Sequence, residues 1–236
     1  LLSLKYFLEK VYGRLMTDHL NGLIKKAIEL QKVGNLTEAR SMYLEALQIE
    51  PDNHQLYKIL SSLEYQNRDF DKSLKYIDKA IQFNKNSAEL YSIKGFYLYI
   101  INREKEAKEL FEKALELDEN NIDALLNLGV ILKESGEILK GTDCFDKILS
   151  LDPKNYKALV NRAYIKIDNR SYQEALKDIN KVLSLNKKYF NGYLMRGNIY
   201  KELKNFDKSL KDFEFLINSK EDCEDQIYNG AKFNKG

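Results

Sequence analysis

The sequence predicts an all-α fold, a solenoid built from stacked antiparallel helical hairpins. Two prolines and eleven glycines in 236 residues leave long stretches free of helix breakers. The same residue types return every 34 residues over most of the chain. Each period holds two apolar stretches with helical spacing and a polar break between them, for example Leu125, Leu128 and Leu132, followed by Phe145 and Ile148.

Four columns of residues define the period, each advancing by 34 residues, as from Ala39 to Ser73. Small residues occupy two columns: Ala39, Ser73, Ala107, Gly141, Ala175 and Ser209, and Ala27, Ser61, Gly95, Gly129, Ala163 and Gly197. Large residues occupy the other two: Tyr43, Ile77, Phe111, Phe145, Ile179 and Phe213, and Leu23, Tyr57, Tyr91, Leu125, Leu159 and Tyr193. Small residues let two helices approach closely and large residues fill the space between them, so each period predicts one packed hairpin.

Short polar breaks predict the turns of these hairpins. The breaks within the periods are Gly34-Asn35, Asn67-Arg68-Asp69, Asn102-Arg103, Gly136-Glu137, Asn169-Arg170 and Lys204-Asn205. Gly and Asn tolerate the left-handed conformation that ends a helix. Both prolines, Pro51 and Pro153, lie in the second kind of break, which ends a period, because proline stops the helix before it. A single hairpin cannot bury its own apolar face, so neighbouring hairpins must stack.

This pattern resembles the tetratricopeptide repeat family, both in its period and in the order of large, small, turn, small, aromatic and small residues. The resemblance implies a right-handed superhelix, and it divides the chain into six repeats: 20–53, 54–87, 88–121, 122–155, 156–189 and 190–223. Three residues depart from the pattern. Glu64 replaces an apolar residue, Glu104 replaces an aromatic one, and Gly141 should cost about 1 kcal/mol inside a helix. Pentatricopeptide repeats, which read RNA, have a period one residue longer.

Two end segments fall outside these six repeats. Residues 1–19 carry an amphipathic stripe, which predicts a helix that caps the first repeat or docks on another subunit. The stripe consists of Leu4, Phe7, Leu8, Val11, Tyr12 and Leu15. Residues 224–236 predict the start of a seventh repeat or a C-terminal capping helix, because the stretch from Ile227 to Ala231 is in register with that from Leu125 to Gly129. An unpaired helix at either end can also pack against a second copy of the chain, so self-association through the terminal helices is an expected possibility.

The resemblance implies that the first helices of the hairpins line a concave peptide-binding groove. The side chains expected in this groove are Lys58, Ile59, Ser62, Tyr65, Ile93, Phe96, Tyr99, Asn127, Val130, Lys157, Asn161, Tyr164 and Asn198. The same helical positions add Ser92, Leu126, Lys133, Ile167, Leu194, Met195 and Lys201. The aromatic members predict a surface of the kind that anchors peptides. The alternative is that some of these side chains pack between neighbouring hairpins and belong to the core.

Some members of the family bind the C-terminal carboxylate of chaperone tails. Their clamp has a Lys and an Asn on one first helix, an Asn on the next, and a Lys with an Arg on the third. Here Asn127 and Lys157 match, whereas Ser92 and Phe96 occupy the places of the first pair and Asn161 replaces the arginine. The partial match predicts that a chaperone tail binds poorly.

A column of asparagines, Asn127, Asn161 and Asn229, is interrupted by Met195. Asn amides can hydrogen-bond a peptide backbone whatever its sequence, and a similar ladder occurs in the superhelix of the O-linked N-acetylglucosamine transferase. The simpler interpretation, that these amides satisfy local hydrogen bonds, is favoured.

The sequence contains no pattern typical of an enzyme, a cofactor site or a metal site. It has no glycine-rich phosphate-binding loop. Cys144 and Cys223 lack metal-ligand spacing, and Cys144 has no histidine in its repeat, so a structural thiol is expected there. His19 and His54 are isolated, and the carboxylates alternate with lysines, so no acid–base pair is singled out. We expect no catalytic, cofactor-binding or metal-binding residues.

Charge and hydropathy narrow the class of partner. The 38 basic and 36 acidic residues alternate along the chain and leave a net charge of +2, which is typical of solvated helix faces and not of a nucleic-acid-binding arm. No apolar run approaches the roughly 20 residues of a membrane span, and no secretory signal is recognised, so a cytoplasmic location is expected. The expected partner is another protein or a peptide.

Three functions fit this sequence. The leading hypothesis is a protein–protein interaction scaffold or adaptor that binds a peptide or protein segment in the groove. The second is a regulatory or targeting arm of a larger enzyme, suggested by the start without Met and by the partial seventh repeat. The third is an RNA-binding helical array, in which aromatic residues with nearby lysines, such as Tyr164 and Lys157, stack on bases. The near-zero net charge argues against the third.

Overall fold

Helical hairpins form throughout the described part of the chain. The computed structural model describes the backbone of residues 2–220 and 224–235, and the side chains of residues 15–220 and 224–234. Within these ranges it contains thirteen α-helices and no strand. The all-α class and the helical-repeat solenoid predicted from the sequence are confirmed.

The chain divides into two units. Unit 1, Leu1–Glu119, contains α1 (Leu2–Lys32), α2 (Leu36–Ile49), α3 (His54–Gln66), α4 (Phe70–Phe83), α5 (Ala88–Ile100) and α6 (Glu104–Leu117). Unit 2, Asn120–Gly236, contains α7 (Ile122–Glu134), α8 (Ile138–Leu151), α9 (Tyr156–Asp168), α10 (Tyr172–Leu185), α11 (Phe190–Glu202), α12 (Phe206–Asn218) and α13 (Asp225–Lys235). Each odd-numbered helix up to α11 packs against the helix that follows it, and α13 packs against α11 and α12.

The N-terminal segment is joined to the first repeat in one long helix. A helix over residues 1–19 was expected ahead of the first repeat, but α1 continues without a break from Leu2 to Lys32. The physical reason is that no proline separates the segment from the repeat, and the turn-type pair at the junction, Asn21-Gly22, is tolerated at exposed helical positions. The stripe residues up to Tyr12 lie outside the described side chains, and Leu15 is exposed. The repeat boundaries themselves stay a prediction.

The repeating columns form the cores of the hairpins. Every member of the column that runs from Tyr43 to Phe213 is at most 1% exposed. The two small-residue columns are buried as well. A Cβ atom on Gly197 would lie 2.5 Å from Cε1 of Phe213, and one on Gly129 would lie 2.9 Å from Cε1 of Phe145. The small residues are therefore needed where a first helix meets the large side chain of the second helix.

Six turns share one backbone conformation. The residues with positive φ are Gly34, Arg68, Asn102, Gly136, Arg170 and Lys204, which are spaced by the repeat period. The following N–H donates to the carbonyl five residues earlier, as from Asp69 to Glu64 at 2.9 Å. This is the hydrogen-bond pattern of a Schellman C-cap. Because Arg and Lys also adopt it, packing and hydrogen bonding of the hairpin outweigh the cost of a side chain at a left-handed position.

Glu64 is stabilised in a way that the sequence does not show. Its side chain is only 4% exposed, and it forms an ion pair with Arg40 of the preceding hairpin. A buried charge with a hydrogen-bonded partner is tolerated, whereas an unpaired one is strongly destabilising. The ion pair between Glu64 and Arg40 therefore links two neighbouring hairpins of unit 1.

Candidate functional site

The thirteen residues expected in the groove fall into two patches, one in each unit. Patch 1 consists of Lys58, Ile59, Ser62, Tyr65, Ile93, Phe96 and Tyr99, and patch 2 of Asn127, Val130, Lys157, Asn161, Tyr164 and Asn198. All lie on the first helices of hairpins, and every side chain keeps at least a partly exposed surface. The first helices therefore present one side to the core and another to solvent.

Two further residues of the expected groove are buried instead. Ser92 is 4% exposed and Met195 is 6% exposed, so neither side chain presents a broad surface to solvent. Met195 packs in a cluster with Leu183 and Ile199. Helical spacing does not reveal which side chains at the edge of a face are covered by a neighbouring helix, so the sequence analysis did not predict this burial.

Tyr65 is the centre of patch 1. Its ring stacks on that of Tyr97 with a centroid distance of 4.8 Å, and it contacts Phe96 at 5.6 Å and Phe70 at 5.8 Å. Tyr97 is buried, and its hydroxyl donates to Oγ of Ser62 at 3.4 Å. Two rings that the sequence analysis did not single out, Tyr97 and Phe70, therefore hold the aromatic surface in place. Preorganised rings lose little conformational entropy when a ligand binds.

The one cation of patch 1 is compensated within unit 1. Nζ of Lys58 lies 2.9 Å and 3.1 Å from the two carboxylate oxygens of Glu89 on the next first helix. The Lys58 side chain is 22% exposed and that of Glu89 is 57% exposed. Patch 1 consequently presents mainly aromatic and aliphatic surface beside a neutralised ion pair.

Tyr164 is the main aromatic residue of patch 2. It is 37% exposed, and its hydroxyl accepts a hydrogen bond from Nδ2 of Asn191 at 2.8 Å. Nζ of Lys133 lies 5.9 Å from the ring centroid, within the range of a cation–π contact. Asn191 was missed by the sequence analysis. Extending the Lys157 column by one period reaches it, so the repeat itself contained the signal.

Two asparagine side chains of patch 2, those of Asn127 and Asn161, bond to their own helices. Nδ2 of Asn127 donates to the carbonyl of Asp123 at 2.8 Å, and Nδ2 of Asn161 donates to the carbonyl of Lys157 at 3.0 Å. The local role favoured from the sequence accounts for these bonds. An Asn side chain also has a carbonyl oxygen, which can accept from a peptide N–H, so the two roles are compatible.

A pocket adjoins patch 2 between α9, α11 and α13, and we call it the α9–α11 pocket. Its volume is about 530 Å³. Its lining includes the buried Met195 and Ile199, the exposed Tyr164 and Asn198 of patch 2, and the charged residues Asp168, Lys201 and Glu202. Pockets of this size with an apolar lining and a few polar groups are typical of binding sites.

Cys144 has the environment of a structural thiol. Burial raises the pKa of its thiol to about 11, and the charge of Asp143 acts in the same direction. Because the thiolate is the reactive form, this environment disfavours nucleophilic chemistry. Cys223 lies outside the described residues.

The described residues provide neither a metal-binding cluster nor a membrane-spanning helix. Within residues 15–220 and 224–234, no group of His, Cys, Asp or Glu side chains is arranged to hold a metal ion. None of the helices in the described ranges combines the length and apolar character that a membrane crossing requires.

Comparison with protein families identifies the repeat. Models of the tetratricopeptide repeat match residues 24–88, 102–163, 156–189 and 190–223. No curated protein matches the chain.

Solved structures with the same fold include PilF of Pseudomonas aeruginosa, with 17% identity and a TM-score of 0.76, covering 86% of this chain and 92% of PilF. PilW, described as a widely conserved type IV pilus biogenesis factor, has 20% identity and a TM-score of 0.76, covering 89% of this chain and 97% of PilW. YrrB, described as having an unusual peptide-binding site, has 20% identity and a TM-score of 0.56, covering 72% of this chain and 88% of YrrB. Similarity at this identity concerns the fold alone.

Proposed function

Because the chain belongs to the tetratricopeptide repeat family, we propose that it is a protein–protein interaction module without a catalytic activity of its own. It binds a peptide or protein segment on patch 1 and patch 2. The observation that carries this proposal is that all thirteen first-helix side chains are at least partly exposed, whereas the two small-residue columns and the column from Tyr43 to Phe213 are buried. In each unit these side chains lie beside the hairpin core and remain accessible to a ligand.

The chemistry of the two patches supports a peptide ligand. Tyr65 and Phe96 hold each other in place by a ring contact. Aromatic residues are enriched at protein interfaces and often contribute much of the binding energy there. Amide groups such as those of Asn127 and Asn161 can bind a peptide backbone. YrrB, with its described peptide-binding site, provides a precedent on a similar fold.

The test is a pull-down with the purified chain, followed by titration calorimetry of each recovered partner. We expect Phe96→Ala/Tyr99→Ala to weaken binding on patch 1 about tenfold or more, since truncating one or two hot-spot residues costs more than about 1.4 kcal/mol. The matched control is Leu139→Ala, because Leu139 is an apolar residue that is 82% exposed and lies on a second helix. Equal affinities for the patch variant and the control would reject patch 1 as a binding surface.

A second variant separates binding from folding. Phe96→Ala removes a ring contact with Tyr65, so its stability must be checked by thermal unfolding. Ile93→Arg places a charge on patch 1 without removing a ring, and because Ile93 is partly buried against the core of unit 1, its stability is checked in the same way. For the RNA-binding alternative, filter binding of a mixed-sequence RNA is the appropriate assay. Retention that falls steeply with salt would favour RNA over a protein ligand.

A further inference from the structure

The α9–α11 pocket indicates the chemistry of the segment that binds to unit 2. This inference rests on the proposed function and extends it. We propose that the pocket binds a large apolar side chain of the partner, with a lysine or arginine of the same segment one or two residues away.

The apolar part of the proposal follows from the lining of the pocket. Met195 and Ile199 are buried side chains that line it, and Ile167 and Tyr172 add further apolar surface. The ring of Tyr164 stands at its edge, held by the 2.8 Å hydrogen bond from Asn191. A pocket with aliphatic and aromatic walls gains most from a side chain that removes apolar surface from water.

The basic part follows from two carboxylates and their position on the helices. Asp168 is the last residue of α9 and Glu202 is the last residue of α11, and both line the pocket. The C-terminal end of a helix carries a partial negative charge, so a carboxylate there adds to the negative potential and is locally unfavourable. A cation bound at this place relieves both effects.

The nearby cations do not balance these charges. Lys166, in the last turn of α9, is bound to Asp178 at 2.9 Å. Lys201 lines the pocket and is exposed, so one lysine faces two carboxylates and two helix ends. Among the described residues, neither Asp168 nor Glu202 forms an ion pair. The lining residues therefore carry a formal charge of −1, from two carboxylates and one lysine, and Nζ of Lys133 lies 5.9 Å from the ring centroid of Tyr164, which also lines the pocket.

The carboxylates are not a requirement of the hairpin. In unit 1 the last residues of α3 and α5 are Gln66 and Ile100, at the places that Asp168 and Glu202 take in unit 2. The hairpins of unit 1 form without a carboxylate there, since the last residue of α1 is Lys32. In unit 2 the last residue of α7, Glu134, is also acidic but does not line the pocket, so Asp168 and Glu202 are the two carboxylates of this column that meet at the pocket.

The experiment is a selection from a displayed library of random 12-residue peptides on the immobilised full chain. We expect the enriched peptides to share a large apolar residue with Lys or Arg one or two positions away. Selection on Asp168→Asn/Glu202→Gln, which preserves side-chain shape, should retain the apolar preference and lose the basic one. Glu109→Gln/Glu112→Gln removes two exposed carboxylates from unit 1 and should leave the selected sequences unchanged.

A labelled peptide with the most enriched sequence then gives affinities by fluorescence anisotropy. We expect Asp168→Asn/Glu202→Gln to weaken it about threefold to tenfold, with a smaller dependence on salt. Asn198→Trp, which fills the pocket from its exposed edge, should abolish binding.

The possible outcomes separate the two proposals. Enrichment of acidic or purely apolar peptides overturns the charge assignment. Peptides that bind Asn198→Trp normally but lose affinity for Phe96→Ala/Tyr99→Ala overturn the pocket and leave the proposed function intact. A library without any enrichment on the wild-type chain counts against both.

Discussion

The guanidinium group of Arg196 donates two hydrogen bonds to the carboxylate of Asp212, from Nε at 2.9 Å and from Nη2 at 2.7 Å. Asp212 is 6% exposed. A third donor, Nη1, bonds Oδ1 of Asn180 in the preceding hairpin at 2.8 Å. One side chain thus joins two helices of its own hairpin and the hairpin before it.

The same arrangement occurs one period earlier in unit 2. There Arg162 forms the bidentate pair with Asp178 and also reaches a residue of the preceding hairpin. One period earlier still, Leu128 and Cys144 take these two places. The hairpin therefore accepts either an ion pair or an apolar pair at this position.

Breaking the ion pair on one side should be costly. Arg196→Leu leaves Asp212 buried without its partner, and we expect a loss of about 3–5 kcal/mol in the free energy of unfolding. Arg196→Leu/Asp212→Leu copies the apolar alternative and should recover most of that loss. Urea denaturation followed by circular dichroism measures both. A double variant no more stable than the single one would contradict this interpretation.

The six left-handed turn positions lead to a second prediction. Lys204 and Arg170 adopt positive φ, where a Cβ atom is disfavoured. Lys204→Gly and Arg170→Gly should each stabilise unit 2 by about 0.5–1 kcal/mol.

The reciprocal change is the control for these turns. Gly136→Ala introduces a Cβ atom at the same position of another turn and should destabilise by about 1 kcal/mol or more. Thermal unfolding monitored at a helical wavelength compares the three variants. A lowered melting temperature for both glycine variants would show that the lysine and arginine side chains contribute more than the backbone strain costs.

The environment of Cys144 predicts slow alkylation. Its pKa is raised from 9.0 to about 11, so the thiolate fraction at pH 8 is about 100-fold lower than in the unfolded chain. Iodoacetamide should therefore modify the native protein far more slowly than the protein in denaturant. Working in a Cys223→Ser background restricts the reaction to Cys144, and mass spectrometry gives the rate. Equal alkylation rates in native and denaturing buffer would show that the partial burial of Cys144 does not suppress the reactivity of its thiol.

The partial clamp predicts poor binding of a chaperone-type C-terminal tail. Ser92 is buried and Phe96 and Asn161 carry no charge, so three of the five groups that would bind the carboxylate and its neighbours are missing. Each lost hydrogen bond to a charged group costs about 1.5–3 kcal/mol. Calorimetry with an acidic five-residue tail peptide should show weak or no heat of binding. Sub-micromolar affinity would contradict the prediction.

The sequence predicted the hairpins because their determinants are local and repeated. Every hairpin must pack a small residue of its first helix against a large residue of its second, as Gly197 packs against Phe213. Every turn must reverse the chain in a few residues. These requirements recur with the period, so they are visible in the columns without knowledge of any distance.

The first-helix face could be located from the same period, but not the contacts upon it. The burial of Ser92 and Met195 and the support of Tyr65 by Tyr97 and Phe70 depend on how far neighbouring helices are rotated and offset. A repeat pattern contains no information on these quantities.

What the sequence determined by itself is the all-α repeat, the hairpin cores and the face that the first helices present. Only the tertiary structure decided that Glu64 is paired with Arg40, and that Asp168 and Glu202 share a pocket with apolar side chains. The physical reason is that a column fixes where a residue lies on its own helix. The side chain that meets it across the next hairpin depends on packing between helices that are distant in the chain.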